Sequence, residues 1–86
     1  MDTRKVIVHP VMSEDSVNLI EAENKITFMV NLRATKNDVK RAVQELYDVK
    51  VSEVHVLITS RGQKKAYVKL SPEHKAADLA VKLGLL

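Results

Sequence analysis

At 86 residues, 45% of them hydrophobic, the chain is sized for one domain, 1–86, with one thin core that leaves no room for a deep enzyme pocket. It has no cysteine, which removes disulfide and thiolate chemistry, and no apolar run near the ~20 residues that cross a bilayer. Lys and Arg exceed Asp and Glu by 14 to 11, a formal charge of +3 that suits a polyanionic partner without requiring one.

Arg4 to Val8 reads as a short strand stopped by Pro10, and His9-Pro10 follows Val6-Ile7-Val8 too soon for a signal peptide. The expected setting is therefore soluble and cytoplasmic. Ser13-Glu14-Asp15 opens a helix to about Ala22, with Ser13 as cap and the two acids at the positive helix end. Asn24-Lys25 marks a turn. From Lys25 to Asn31 the chain alternates, Ile26, Phe28 and Val30 on one face and Thr27 and Met29 on the other, as a half-buried strand does.

Thr35, with Asp38 three residues on, gives a box-like start to the clearest helix, whose stripe is Val39, Ala42, Val43 and Leu46. Val51 to Thr59 is rich in β-branched residues and reads as a strand, with Val54, Val56 and Ile58 on one face. Ser60-Arg61-Gly62-Gln63 is a tight turn in which Gly62 is free to take positive φ. Lys64 to Leu70 returns as a second strand, with Ala66, Val68 and Leu70 inward and Lys65, Tyr67 and Lys69 outward. Ser71-Pro72-Glu73 predicts a final helix buried through Ala76, Leu79, Ala80 and Leu83 and stopped at Gly84. The order β-α-β-α-β-β-α predicts an α+β fold, a small, mostly antiparallel four-stranded sheet packed with about three helices.

No catalytic chemistry is assembled along the chain. His9, His55 and His74 lack metal-site spacing and have no cysteine beside them. No Gly-rich phosphate loop is present, and nothing groups a Ser or Thr with a His and an orienting acid. Expected are no metal, no cofactor, no small-molecule substrate and no enzymatic activity.

Positive charge gathers instead at the hairpin. Arg61, Lys64 and Lys65 lie at its tip, beside the hydrogen-bonding side chains of Thr59, Ser60 and Gln63. Such a turn can enter a phosphate-lined groove, or it can be a solvated hairpin whose lysines guard a sheet edge. A second basic group is Arg33, Lys36, Lys40 and Arg41, where the helix start at Thr35 and Lys36 could hold a phosphate or simply be capped. Tyr67, between Lys65 and Lys69, can stack on a base or ribose, but no multi-aromatic platform accompanies it. These features favour recognition of RNA shape and phosphates over base-by-base reading. The competing reading is a protein-interaction or regulatory module with a solvated hairpin.

Several segments then resemble one family in order along nearly the whole chain. Lys64-Lys65-Ala66-Tyr67-Val68-Lys69-Leu70-Ser71, followed by Leu79, is similar to the signature of the L-twenty-three family of large-subunit ribosomal proteins. His9-Pro10-Val11-Met12-Ser13-Glu14 resembles that family's entry to its first helix, and Asn24-Lys25-Ile26-Thr27-Phe28 its Asn-Lys-aromatic strand. Ala34-Thr35-Lys36, Ala42-Val43 and Tyr47-Asp48-Val49-Lys50-Val51 fit its second helix and exit. The short turn at Arg61-Gly62 resembles archaeal and eukaryotic-type members.

The resemblance implies a structural protein that binds large-subunit ribosomal RNA beside the exit of the peptide tunnel. Its implied partners are the ribosomal L-twenty-nine protein and the signal recognition particle or other nascent-chain factors. Carried over by position, Ala34-Thr35-Lys36 and the hairpin from Thr59 to Lys65 become RNA-contacting segments, and Glu14 falls on the factor-docking face. Two departures stand out. Asp15 occupies a position where many members have lysine, and Val54-His55-Val56 replaces the commoner Val-Asn-Thr.

Overall fold

The computed structural model describes residues 1–86. In chain order the elements are α1 (Thr3–Val6), β1 (Ile7–Pro10), α2 (Glu14–Glu23), β2 (Lys25–Val30), α3 (Lys36–Tyr47), β3 (Val51–Ile58), β4 (Lys64–Leu70) and α4 (Ala76–Lys82). The four strands form one sheet in the order β1-β2-β4-β3, and each of its pairings is antiparallel. The expected α+β class and sheet are observed, with one short helix added at the N-terminus.

That addition corrects the first expected strand. Asp2 accepts a hydrogen bond from the Arg4 amide, and the Lys5 amide donates to the Asp2 carbonyl. This cap turns Thr3–Val6 into a single helical turn, so β1 begins only at Ile7 and runs through Pro10. Pro10 is tolerated because β1 is an edge strand with one partner.

Period-two alternation sets the core. Ile26, Phe28 and Val30 of β2, with Ala66, Val68 and Leu70 of β4, are buried on one sheet face. They pack with Ile20 of α2, Val39, Ala42 and Val43 of α3, and Leu79 and Ala80 of α4 in a single cluster of 17 buried residues. Phe28 stacks on Tyr47 with ring centroids 5.9 Å apart and planes 8° from parallel, a contact worth ~1 kcal/mol beyond the buried area. The stripe of α3 is shorter than expected, because Leu46 is 44% exposed. Ile58 shares the parity of Val54 and Val56 but is 58% exposed, lying at the strand end beyond the helical cover.

The start of α4 is a second correction. The Ser71 hydroxyl bonds Glu73, and the His74 amide donates to the Ser71 carbonyl, closing a turn where a helix was expected. The helix starts at Ala76 with no capping side chain of its own. Its cap comes from Asn24, whose Oδ1 accepts from the Ala76 amide at 2.6 Å while its Nδ2 donates to the carbonyls of Leu70 and His74. Asn24 itself sits at φ 57°, ending α2 in the left-handed region that asparagine tolerates.

Candidate nucleic-acid interface

The β3–β4 hairpin closes through Ser60-Arg61-Gly62. The Thr59 amide donates to the Gln63 carbonyl at 2.7 Å and the Gly62 amide to the Thr59 carbonyl at 2.9 Å, with Gly62 at φ 78°. This three-residue loop is a tight turn followed by a glycine bulge. Thr59 Oγ1 also accepts from the Gln63 amide, so that hydroxyl braces the turn. Ser60, Arg61 and Gln63 are exposed.

Lys64 and Lys65 have different fates. Lys64 has the parity of Ala66 and Val68 and points to the helical side, where its Nζ donates to the Ala34 carbonyl at 2.6 Å. It is thus a strut between the hairpin and the segment leading into α3, half-buried and with one ammonium donor engaged. Lys65 points to the other side. The strut fastens the two basic segments together: Arg33, Thr35 and Lys36 adjoin the hairpin bearing Arg61 and Lys65.

At the start of α3, Thr35 Oγ1 accepts from the Asp38 amide and Asp38 Oδ2 accepts from the Thr35 amide. This reciprocal box occupies two of the donors at the helix end, the Thr35 and Asp38 amides, and places a carboxylate there. The Thr35 amide holds the Asp38 carboxyl below its ordinary value, with the nearby Met1 amino group adding to the effect. Arg41 pairs with Asp38 at 3.1 Å. Arg33, Lys36 and Lys40 remain exposed and enter no ion pair.

The sheet face opposite the helices carries a regular array. Cross-strand pairing aligns Lys25, Lys69 and Glu53 in one row, Thr27, Tyr67 and His55 in the next, and His9, Met29, Lys65 and Leu57 in the third. Tyr67 therefore lies among Lys65, Lys69 and His55, half-buried at its base. Thr27 beneath it is 2% exposed, and its hydroxyl has no hydrogen-bond partner. Lys25, His9 and Met29 were not among the RNA-contacting residues expected from the sequence, because only the strand register brings them beside β4.

Glu14 stands apart from these cations. It is exposed in the first turn of α2, whose neighbours are β2 and α4. No group of three or more His, Cys, Asp or Glu side chains could hold a metal ion. The surface clefts are shallow and sit between elements. One of about 350 Å³ lies between the end of α3 and the turn before α4, lined by Tyr47, Asp48, His74 and Lys82 among others.

The family described as Ribosomal protein L23 matches residues 5–78. The chain belongs to the L23 family of ribosomal proteins. It is also 49% identical over 85 residues to the large ribosomal subunit protein uL23 of Methanococcus aeolicus, a match covering 99% of both chains. That similarity agrees with the archaeal-type short hairpin. A member of the L23 family is a structural constituent of the large ribosomal subunit, not an enzyme, and its place is the ribosome. Ribosomal RNA and other ribosomal components are accordingly its partners.

Proposed function

We propose that this chain binds large-subunit ribosomal RNA near the peptide tunnel exit, using the hairpin end of the molecule. The observation that carries the reading is the Lys64–Ala34 bond, which holds two basic segments together as one surface. Arg61 and Lys65 from the hairpin, with Arg33, Lys36 and Lys40, supply the cations. Ser60 and Gln63 supply hydrogen bonds to phosphate and sugar, and Tyr67 offers a ring for stacking. Lys64, Thr59 and Thr35 act by holding these groups in place.

Each phosphate neutralised releases counterions, so roughly four to six contacts give a log–log salt slope of about −3 to −5. The test is binding to protein-free large-subunit ribosomal RNA across a salt series, against a structured control RNA. Replacing Arg61 and Lys65 with glutamine is expected to flatten the slope by about 1.5, with the fold intact by circular dichroism. An unchanged slope removes the hairpin from the interface.

On the same proposal, α2 with Glu14 faces the signal recognition particle or other nascent-chain factors, beside the ribosomal L-twenty-nine protein. The supporting feature is an exposed acid on a helix that the RNA-facing cations do not share. Ribosomes carrying Glu14→Lys are expected to bind signal recognition particle more weakly while incorporating the protein normally. Unaltered binding moves the docking face elsewhere.

A further inference from the structure

β3 is an edge strand, paired only with β4. Its free edge follows from the hairpin. The Thr59 amide donates to Gln63 across the ladder. In an antiparallel ladder such hydrogen-bonded positions recur every second residue. Leu57, His55 and Glu53 therefore direct their amides at β4, and Val54, Val56 and Ile58 direct theirs outward. Those outward amides repeat every ~6.8 Å along the strand, a spacing close to that of successive phosphates on an extended RNA strand.

Above this edge runs one side of α3. Lys36, Lys40 and Gln44 follow one another at i, i+4 and i+8. The far end of that row is fixed over β3, because Gln44 Oε1 accepts from the Val51 amide at 3.1 Å. The near end is fixed at the hairpin by the Lys64–Ala34 bond just before the helix. α3 thus runs antiparallel to β3, with Lys36 and Lys40 exposed on the flank that Gln44 turns toward that strand. The opposite flank of α3, with Asp38 and Arg41, faces the N-terminus instead. Glu53, at the start of β3 and 3.8 Å from His55, is the only acid in the strand.

Resting on the RNA-binding reading above, we infer that the β3 edge and the Lys36–Lys40 row form a track for the phosphate backbone of a single RNA strand, leading away from the hairpin tip. The charge pattern selects this occupant. A free edge of eight residues without lysine or proline is a template for another strand. Two copies paired edge to edge, however, would bring their Lys36–Lys40 rows together across the two-fold axis. The same lysines that oppose a second copy attract phosphates, while the outward amides donate to their oxygens.

The test is site-resolved amide hydrogen exchange on the full chain, free and bound to protein-free large-subunit ribosomal RNA from Methanococcus aeolicus, together with a salt series on K36Q/K40Q. Expected is an alternating signature. Val54, Val56 and Ile58 exchange fast in the free protein and at least tenfold slower when bound, while His55 and Leu57 are slow in both. K36Q/K40Q is expected to lower the salt slope by about 1.4–1.8. Tight binding that leaves those three amides fast overturns the track and spares the hairpin reading, whereas absence of selective RNA binding removes both. Protection of the three amides in RNA-free protein that grows with concentration assigns the edge to a second copy and overturns the track as well.

Discussion

Asn24 does more than its place in a turn suggests. Its left-handed backbone (φ 57°) ends α2, and its side chain makes hydrogen bonds to Leu70, His74 and Ala76, joining the end of β4 to the start of α4. Each such bond contributes ~1 kcal/mol net, and a Cβ-bearing residue other than Asn or Asp pays ~1 kcal/mol or more in that backbone region. Asn24→Ala is therefore expected to cost about 3–4 kcal/mol in urea unfolding. Asn24→Gly recovers the backbone part and costs about 1 kcal/mol less. Equal losses in the two variants would mean that the backbone conformation contributes nothing. The sequence Asn24-Lys25 showed a turn, but its partners lie 46 to 52 residues away, beyond the reach of any local signal.

At the scale of the element, legibility followed local chemistry. The cap of α3 was readable because Thr35 and Asp38 satisfy each other within one turn. Strand β4 was readable because its apolar residues alternate without interruption. The start of α4 was misread because Ser71-Pro72-Glu73 has the composition of a helix start, yet Asn24 draws the first free amide to Ala76. The α3 cap also has a pH consequence. The Asp38 carboxyl is lowered in the folded state, chiefly by the Thr35 amide, from an ordinary value of 3.8. A group lowered on folding stabilises above its unfolded value, and that contribution is lost as pH falls through the folded one. Stability is therefore expected to decline below about pH 4, and Asp38→Asn should make this acid limb shallower. An acid limb of unaltered steepness in the variant would assign the loss to other carboxylates.

For the whole molecule, the decisive contact is Lys64 to the Ala34 carbonyl. It converts a hairpin and a loop that are 30 residues apart into one basic end. Lys64→Met keeps the apolar stem and removes the ammonium. It is expected to lower stability by about 1–2 kcal/mol while leaving the intrinsic salt slope of RNA binding close to that of the unaltered chain. Thermal unfolding and the same salt series measure the two effects. A flattened slope with unchanged stability would instead place Lys64 among the phosphate contacts. The contrast with Lys65, one residue later, rests on strand parity alone, since neighbouring residues in a strand face opposite sides.

The sequence by itself determined the α+β class, the strands β2, β3 and β4, the capped helix α3 and the glycine turn, because each rests on alternation, helical spacing or contacts within a few residues. It also carried the family, through short segments in order along the chain. Only the tertiary structure decided that Lys64 is a strut and that Tyr67 lies among cations contributed by neighbouring strands. It also decided that β3 is a free edge of the sheet with α3 packed beside it. These facts depend on which strands are neighbours and in what register, and long-range hydrogen bonding and core packing set that order where no local pattern records it.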